Sequence, residues 1–147
     1  MPTDPESTAD LLDDLVHLDT QSAPRGIELT VTAVFRLTSA GSLDFGGSEF
    51  EKADRERLEP EKAQPDDDYG WWELRAGTYT LRYNESVAEE RALLVTPHRR
   101  LLDTGAHHAP FQVQEPTDPL ETVLAVPERG VRIKENARVS RVALLGE

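Results

Sequence analysis

Ile27-Glu28-Leu29-Thr30-Val31-Thr32-Ala33-Val34-Phe35 alternates: Ile27, Leu29, Val31, Ala33 and Phe35 are apolar, while Glu28, Thr30 and Thr32 are polar. Successive side chains on a strand point to opposite faces, so a period of two predicts a half-buried β-strand with its odd residues on the core. Downstream, Tyr79, Leu81 and Tyr83 alternate with Thr80 and Arg82 just after a turn at Gly77, a second strand. Strand-length apolar runs follow at Ala92 to Val95, Thr122 to Val126, Val131 to Ile133 and Arg138 to Leu145. Pro97, Gly105, Pro110, Pro116, Pro119, Pro127 and Gly130 fall between them. The second half therefore reads as a compact barrel or sandwich rather than as alternating β and α units.

Upstream, Ser7 to Val16 reads as a short helix: Ser7 and Asp10 have capping-box spacing, and Leu11, Leu12, Leu15 and Val16 form one apolar face. Pro24 and Gly26 end it. Ser39 to Asp68 is polar, poor in large apolar residues and interrupted by Pro60 and Pro65. It is predicted to be a long excursion with a helical turn near Lys52 to Leu58. The expected organisation is an N-terminal segment over 1–23 and one β domain over 24–147, carrying a polar insertion at 39–68.

A chain of 147 residues fits one domain with a self-sufficient core. It has no cysteine, which excludes disulfides, thiolate metal sites and a cysteine nucleophile. Its longest apolar stretches, such as Ala92 to Val95 and Val142 to Leu145, fall far short of the ~20 residues of a membrane helix. Met1 to Glu6 lacks the basic and apolar regions of a signal peptide. The expectation is a soluble cytoplasmic protein with no membrane partner. Acidic residues number 28 against 16 basic ones, a net charge of −12. A surface so negative repels phosphate backbones, so nucleic acid is not an expected partner. Only three basic residues are lysines (Lys52, Lys62, Lys134), a composition that resembles proteins of salt-loving organisms and equally fits an ordinary acidic protein.

Pro24-Arg25-Gly26-Ile27-Glu28-Leu29, then Leu74 to Glu85, then Lys134 to Leu144 stand in an order that resembles the dUTPase/dCTP deaminase superfamily. The first is similar to that family's Pro, any residue, Gly or Ser, aliphatic, Asp, Leu, with Glu28 in place of Asp. Leu74 to Glu85 is similar to its Leu-x-Pro-Gly-x-Tyr/Phe turn and the strand ending in Glu, with Ala76 in place of proline. Lys134 to Leu144 is similar to its Gly-x-Arg-Ile-Ala-Gln-Leu strand, with Arg141 at the glutamine. The resemblance covers Pro24 to Leu144 apart from the insertion. It implies a mainly β fold, the β-clip, a distorted barrel or jelly roll with a short N-terminal helix. It also implies a homotrimer with active sites shared between subunits, or a hetero-trimer with a paralogue.

The resemblance further implies a deoxynucleotide as ligand and, for an active enzyme, Mg²⁺. Hydrolysis at the α-phosphate requires a carboxylate to activate water, a cation to neutralise charge and donors for the phosphates. The family supplies those donors through Pro/Gly-Arg-Ser-Ser-Leu, where this chain has Pro97-His98-Arg99-Arg100-Leu101. His98, Arg99 and Arg100 are therefore the candidate phosphate ligands, since guanidinium groups bind phosphate bidentately. The other reading is surface arginines paired with nearby carboxylates. The family's Asp-x-Gly-Tyr/Phe-x-Gly loop corresponds to Phe111 to Pro119, where Gln114 or Glu115 occupies the Asp position and both glycines are absent. Glu115 and Gln114 are the positional candidates for catalysis, and the spacing of Asp118 and Glu121 does not fit that role. The place of the deaminase glutamate, within Thr122 to Val126, is apolar, which argues against deamination.

His98, Asp103, His107 and His108 are the residues from which a metal site could be built. Adjacent residues on an extended segment face opposite sides, so His107 and His108 are expected not to share an ion, and no metal site is predicted. Trp71 and Trp72, beside Tyr69, could stack a base, but core or interface packing is the expected role. The sequence thus predicts a divergent superfamily member that binds a deoxynucleotide with weak or absent hydrolysis, a regulatory or scaffold paralogue. The alternatives are an active dUTP diphosphatase with a rebuilt site and a structural partner of an active paralogue.

Overall fold

A computed structural model describes residues 8–145. The chain runs through β1 (Leu12–Asp13), helix α1 (Leu18–Gln21), β2 (Ser22–Ala23), β3 (Gly26–Leu37), β4 (Arg55–Arg57), β5 (Trp71–Leu74), β6 (Gly77–Tyr83) and β7 (Ser86–Val87). It continues through β8 (Leu93–Pro97), helix α2 (Arg99–Asp103), β9 (Phe111–Val113), β10 (Glu121–Val126), β11 (Val131–Lys134) and β12 (Arg138–Leu144). The main sheet is antiparallel, in the order β10-β6-β3-β12-β8-β9, with β2 and β4 also paired to β3. Two small sheets, β1 with β7 and β5 with β11, complete a mainly β architecture.

The alternating stretch is the centre of this sheet. Ile27, Leu29 and Val31 are fully buried in the core cluster, as their period of two requires. The expectation that every odd residue faces the core fails beyond Val31. The pairing of β3 with β6 shifts register between Val31 and Ala33, a β-bulge that adds a residue and reverses the phase. Val34 then enters the core, while Phe35 lies on the other face beneath the guanidinium groups of Arg55 and Arg82, at 4.2 and 4.8 Å from its ring centroid.

Gly26, the glycine of the Pro24-Arg25-Gly26 motif, lies where the backbone of β12 crosses the start of β3. A Cβ there would collide with the Val142 carbonyl. Gly77 opens β6 at φ 146, in the region that favours glycine.

Two sequence expectations are corrected. Ser7 lies outside the described residues, and the helix expected to reach Val16 gives way at Leu12–Asp13 to β1, which pairs with β7. Burying Leu12 against Val87 outweighs local helical periodicity, and Asp14 at φ 64 ends helical continuation. The helical turn expected near Lys52 to Leu58 is instead strand β4, held by pairing with Phe35 to Leu37. The excursion before it is also built: Ser42 and Glu51 form a two-bond antiparallel bridge, and the Asp44 carboxylate accepts from the N–H groups of Gly47 and Glu49. Among the described residues no helix is long and apolar enough to cross a membrane.

Candidate functional site

Opposite the core face of β3, the register places Glu28 of β3, Arg141 of β12 and Thr96 of β8 side by side. The chain leaves β8 at Pro97 and enters α2, with His98 as its N-cap. The His98 Nδ1 accepts the Arg100 N–H at 3.0 Å, so the ring proton resides on Nε2, which donates to Glu28 Oε2 at 2.8 Å. The other oxygen of Glu28 accepts from Arg138 at 2.8 Å, and Arg138 also reaches the Thr20 carbonyl at 3.4 Å. Both oxygens of this mostly buried carboxylate are thus engaged within the chain.

The candidate phosphate ligands separate accordingly. His98 is buried with both ring nitrogens occupied. Arg99 is exposed and paired with Asp103 at 3.2 Å, and Arg100 is exposed beside it. Gln114 and Glu115 lie exposed in the loop after β9, where Gln114 donates to Gln112 and the Glu115 carbonyl accepts from Thr117. Among the described residues no hydrogen bond or ion pair joins this loop to Glu28, His98 or Arg138.

On the core side of β12 lies a chain of polar groups that sequence reasoning missed. His108 Nδ1 meets the Ala109 carbonyl at 2.9 Å, which fixes its proton there, so Nε2 must accept from the Ser140 hydroxyl at 2.7 Å. Ser140 in turn accepts from the Tyr83 phenol at 2.6 Å. All three side chains are buried. Burial holds His108 below the ordinary histidine range and pushes the Tyr83 phenol up. His107 is exposed, so the two adjacent histidines do part company. The available signal was Ser140 itself, a small hydroxyl inside an apolar strand.

Glu85, which ends the second family-like segment, is also buried. Its carboxylate accepts from the Thr30 N–H, the Thr30 hydroxyl and Gln21 at 2.9, 2.6 and 2.8 Å. Burial raises its pKa against those donors. Through Thr30 it ties β3 to the turn after β6. Glu121 of β10 takes a bidentate contact from Arg55 and one from Arg82. Burial works to raise its pKa, and the two arginines outweigh it, leaving Glu121 below the ordinary value.

Among the described residues no three His, Asp or Glu side chains converge to hold a metal ion. Glu28, each of whose oxygens accepts one hydrogen bond, belongs to no such cluster. Elsewhere, an open groove of about 750 Å³ runs along β5 and β11. Trp71 lines it and carries Arg132 and Lys134 over its ring at 4.4 and 5.5 Å, while Trp72 is a core residue whose Nε1 donates to the Leu58 carbonyl.

The fold is similar to that of 2'-deoxycytidine 5'-triphosphate deaminase from Agrobacterium tumefaciens, at TM-score 0.61 and 15% identity over 95% of this chain and 46% of that one. A probable deoxyuridine 5'-triphosphate nucleotidohydrolase of Methanosarcina acetivorans is 30% identical over 146 residues, covering 93% of this chain and 79% of the relative. The chain belongs to the dUTPase/dCTP deaminase superfamily. A namesake from Archaeoglobus fulgidus is 30% identical over 99 residues, 66% of this chain and 54% of the relative. No protein-family model matches the chain. Within the superfamily pattern, this member carries arginines on the first turn of α2 where serines are expected. It also carries a histidine that caps that helix with its own ring.

Proposed function

We propose that this superfamily member binds a deoxynucleotide and hydrolyses it weakly or not at all, serving a regulatory or scaffold role. The observation that carries the reading is the double engagement of Glu28 by His98 and Arg138. A general base must be aimed at the water it activates, and this carboxylate is aimed at His98 and Arg138. Glu115 and Gln114, the positional candidates for catalysis, sit on a loop without the family's glycines, and among the described residues no hydrogen bond or ion pair aims the Glu115 carboxylate. Binding is better supplied: Arg99 is tied only by an exposed ion pair, worth little in water, which a phosphate can displace.

In this reading Arg99 and Arg100 hold phosphate oxygens, and an active enzyme would take its Mg²⁺ with the nucleotide. The assembly is a homotrimer, or a hetero-trimer with a paralogue. Pyrophosphate release from each deoxynucleoside triphosphate, measured with Mg²⁺ at high salt beside a nucleotide-induced thermal shift, tests the proposal. The expected result is a shift without release. The names of the archaeal relatives favour a second reading, an active dUTP diphosphatase with Glu115 as rebuilt base. Robust Mg²⁺-dependent release from dUTP that disappears in Glu115→Gln would establish it.

A further inference from the structure

The groove along β5 and β11 is walled by three segments whose backbones are fixed. Leu74 pairs with Val131 at one end of the two-stranded ladder, so Arg75 and Arg129 stand on neighbouring turns just beyond it. The Arg129 turn closes with the Gly130 N–H donating to the Pro127 carbonyl at 2.8 Å, and the Arg75 carbonyl accepts from the Tyr79 phenol at 2.8 Å. Gly130, at φ 79, comes so near β5 that a Cβ there would lie 2.7 Å from the Leu74 carbonyl oxygen. The third segment is tied to the edge of β5 away from β11 by the two bonds between Glu61 and Trp71, which places Lys62 in the wall.

Of the four basic residues in the lining, Arg132 is already engaged: it pairs with Glu73 at 3.3 Å and lies 4.4 Å from the Trp71 ring centroid. The side chains of Lys62, Arg75 and Arg129 make no hydrogen bond or ion pair among the described residues, although Glu59 and Glu61 line the same groove. Both glutamates stand on the Lys62 segment, so the positive field is strongest between the two arginine turns. Unpaired like charges gathered in one groove repel one another, and an anion that touches more than one of them relieves the repulsion.

We propose that this groove binds a phosphate chain, either free pyrophosphate or the polyphosphate tail of a nucleotide, between Arg75 and Arg129, with Lys62 as a third cation. Guanidinium forks take phosphate oxygens bidentately, and a phosphate chain concentrates several negative charges in a few ångströms, where a carboxylate offers one. The groove, about 750 Å³ and open on one side, has room for such a chain. A nucleic acid or an acidic protein would also meet the rest of a surface of net charge −12, whereas a small anion seated here faces mainly the groove's own charges. No residue of α2 or of the β9 loop lines the groove, so the proposal does not rest on nucleotide binding at Arg99 and Arg100.

Trp71 supplies a readout, since it lines the groove and the second tryptophan, Trp72, is buried in the core. Titrating the full chain with sodium pyrophosphate in Mg²⁺-free buffer should give a saturable change in tryptophan fluorescence, with a matching heat in calorimetry. Arg75→Ala/Arg129→Ala should weaken that binding at least about tenfold with unchanged far-ultraviolet circular dichroism, since both side chains are exposed. Lys62→Glu should weaken it in the same direction, and Arg99→Ala/Arg100→Ala should leave it as in wild type. Repeating the titration with dUTP in the Arg99→Ala/Arg100→Ala background separates the two sources: equal affinity assigns the phosphate chain alone, and tighter binding assigns the nucleotide tail. No saturable response to either anion overturns the proposal. So does binding that survives in Arg75→Ala/Arg129→Ala and disappears in Arg99→Ala/Arg100→Ala, a result that would leave the reading of α2 standing.

Discussion

Replacing Ser140 by alanine should destabilise the fold far more than removing the Tyr83 hydroxyl, although each change deletes one oxygen. Ser140 is the middle of a directed chain in which Tyr83 donates to Ser140 and Ser140 donates to His108 Nε2, at 2.6 and 2.7 Å. Alanine at 140 strands a buried phenol O–H and a buried imidazole nitrogen, each costing about 1–3 kcal/mol, so the total is about 2–6 kcal/mol. Tyr83→Phe removes the terminal donor and leaves the Ser140 to His108 bond intact, a loss of about 0.5–1.5 kcal/mol. Urea unfolding followed by circular dichroism reads the difference, with a midpoint shift on the order of 1 M or more for Ser140→Ala. The double variant should be less destabilised than the two single ones added, because they share a bond. A Ser140→Ala protein no less stable than Tyr83→Phe would refute the directed chain.

Other outcomes follow from the same geometry. Leu29→Ala truncates a fully buried residue of β3 and should cost about 2–5 kcal/mol in denaturant unfolding; an unchanged midpoint would count against its place in the core. Because the folded His108 pKa is depressed from 6.5, only the unfolded chain takes up that proton at first as pH falls below 6.5, and stability drops until the folded value is passed. Glu85, with its folded pKa raised above 4.5, acts in the opposite sense at lower pH, so the His108 contribution is read as wild type minus His108→Gln, and a difference flat below 6.5 would contradict it. Arg99→Ala/Arg100→Ala should abolish the nucleotide-induced thermal shift while Glu115→Gln preserves it; the reverse pattern would move the binding site to the β9 loop. With a net charge of −12, the protein should be trimeric at moderate to high salt and lose compactness as salt is removed, and full structure with monomeric mass at low salt would sink that expectation.

The β fold was legible because burial enforces periodicity: Ile27, Leu29 and Val31 alternate for the same reason that Tyr79, Leu81 and Tyr83 do. The bulge after Val31 was not, since one inserted residue leaves composition unchanged and shows itself only in the partner strand's register. The Leu12–Asp13 strand was read as helix because its stability comes from Val87, distant in sequence. At the site, the departures at residues 98–100 and 114–115 were visible as departures. What His98 does instead was not, because its two partners, the Arg100 N–H and the Glu28 carboxylate, are set by a helix start and a strand 70 residues away. The Tyr83, Ser140 and His108 chain was hidden for the same reason, joining residues as far as 57 apart.

The sheet order has a consequence for how the protein is made. β12 lies between β3 and β8, so in the main sheet the half built on β10, β6 and β3 is joined to the half built on β8 and β9 by a strand synthesised after all of them. A nascent chain emerging from the ribosome must therefore hold Ile27 and Leu29 beside an empty slot until residues 138–144 arrive. Closing so long a loop is slow, and the unfilled edge of β3 is in the meantime a template for any other extended segment. Late filling of that edge is thus written into the strand order, and the acidic surface would serve the growing chain as a repellent before it serves the finished protein.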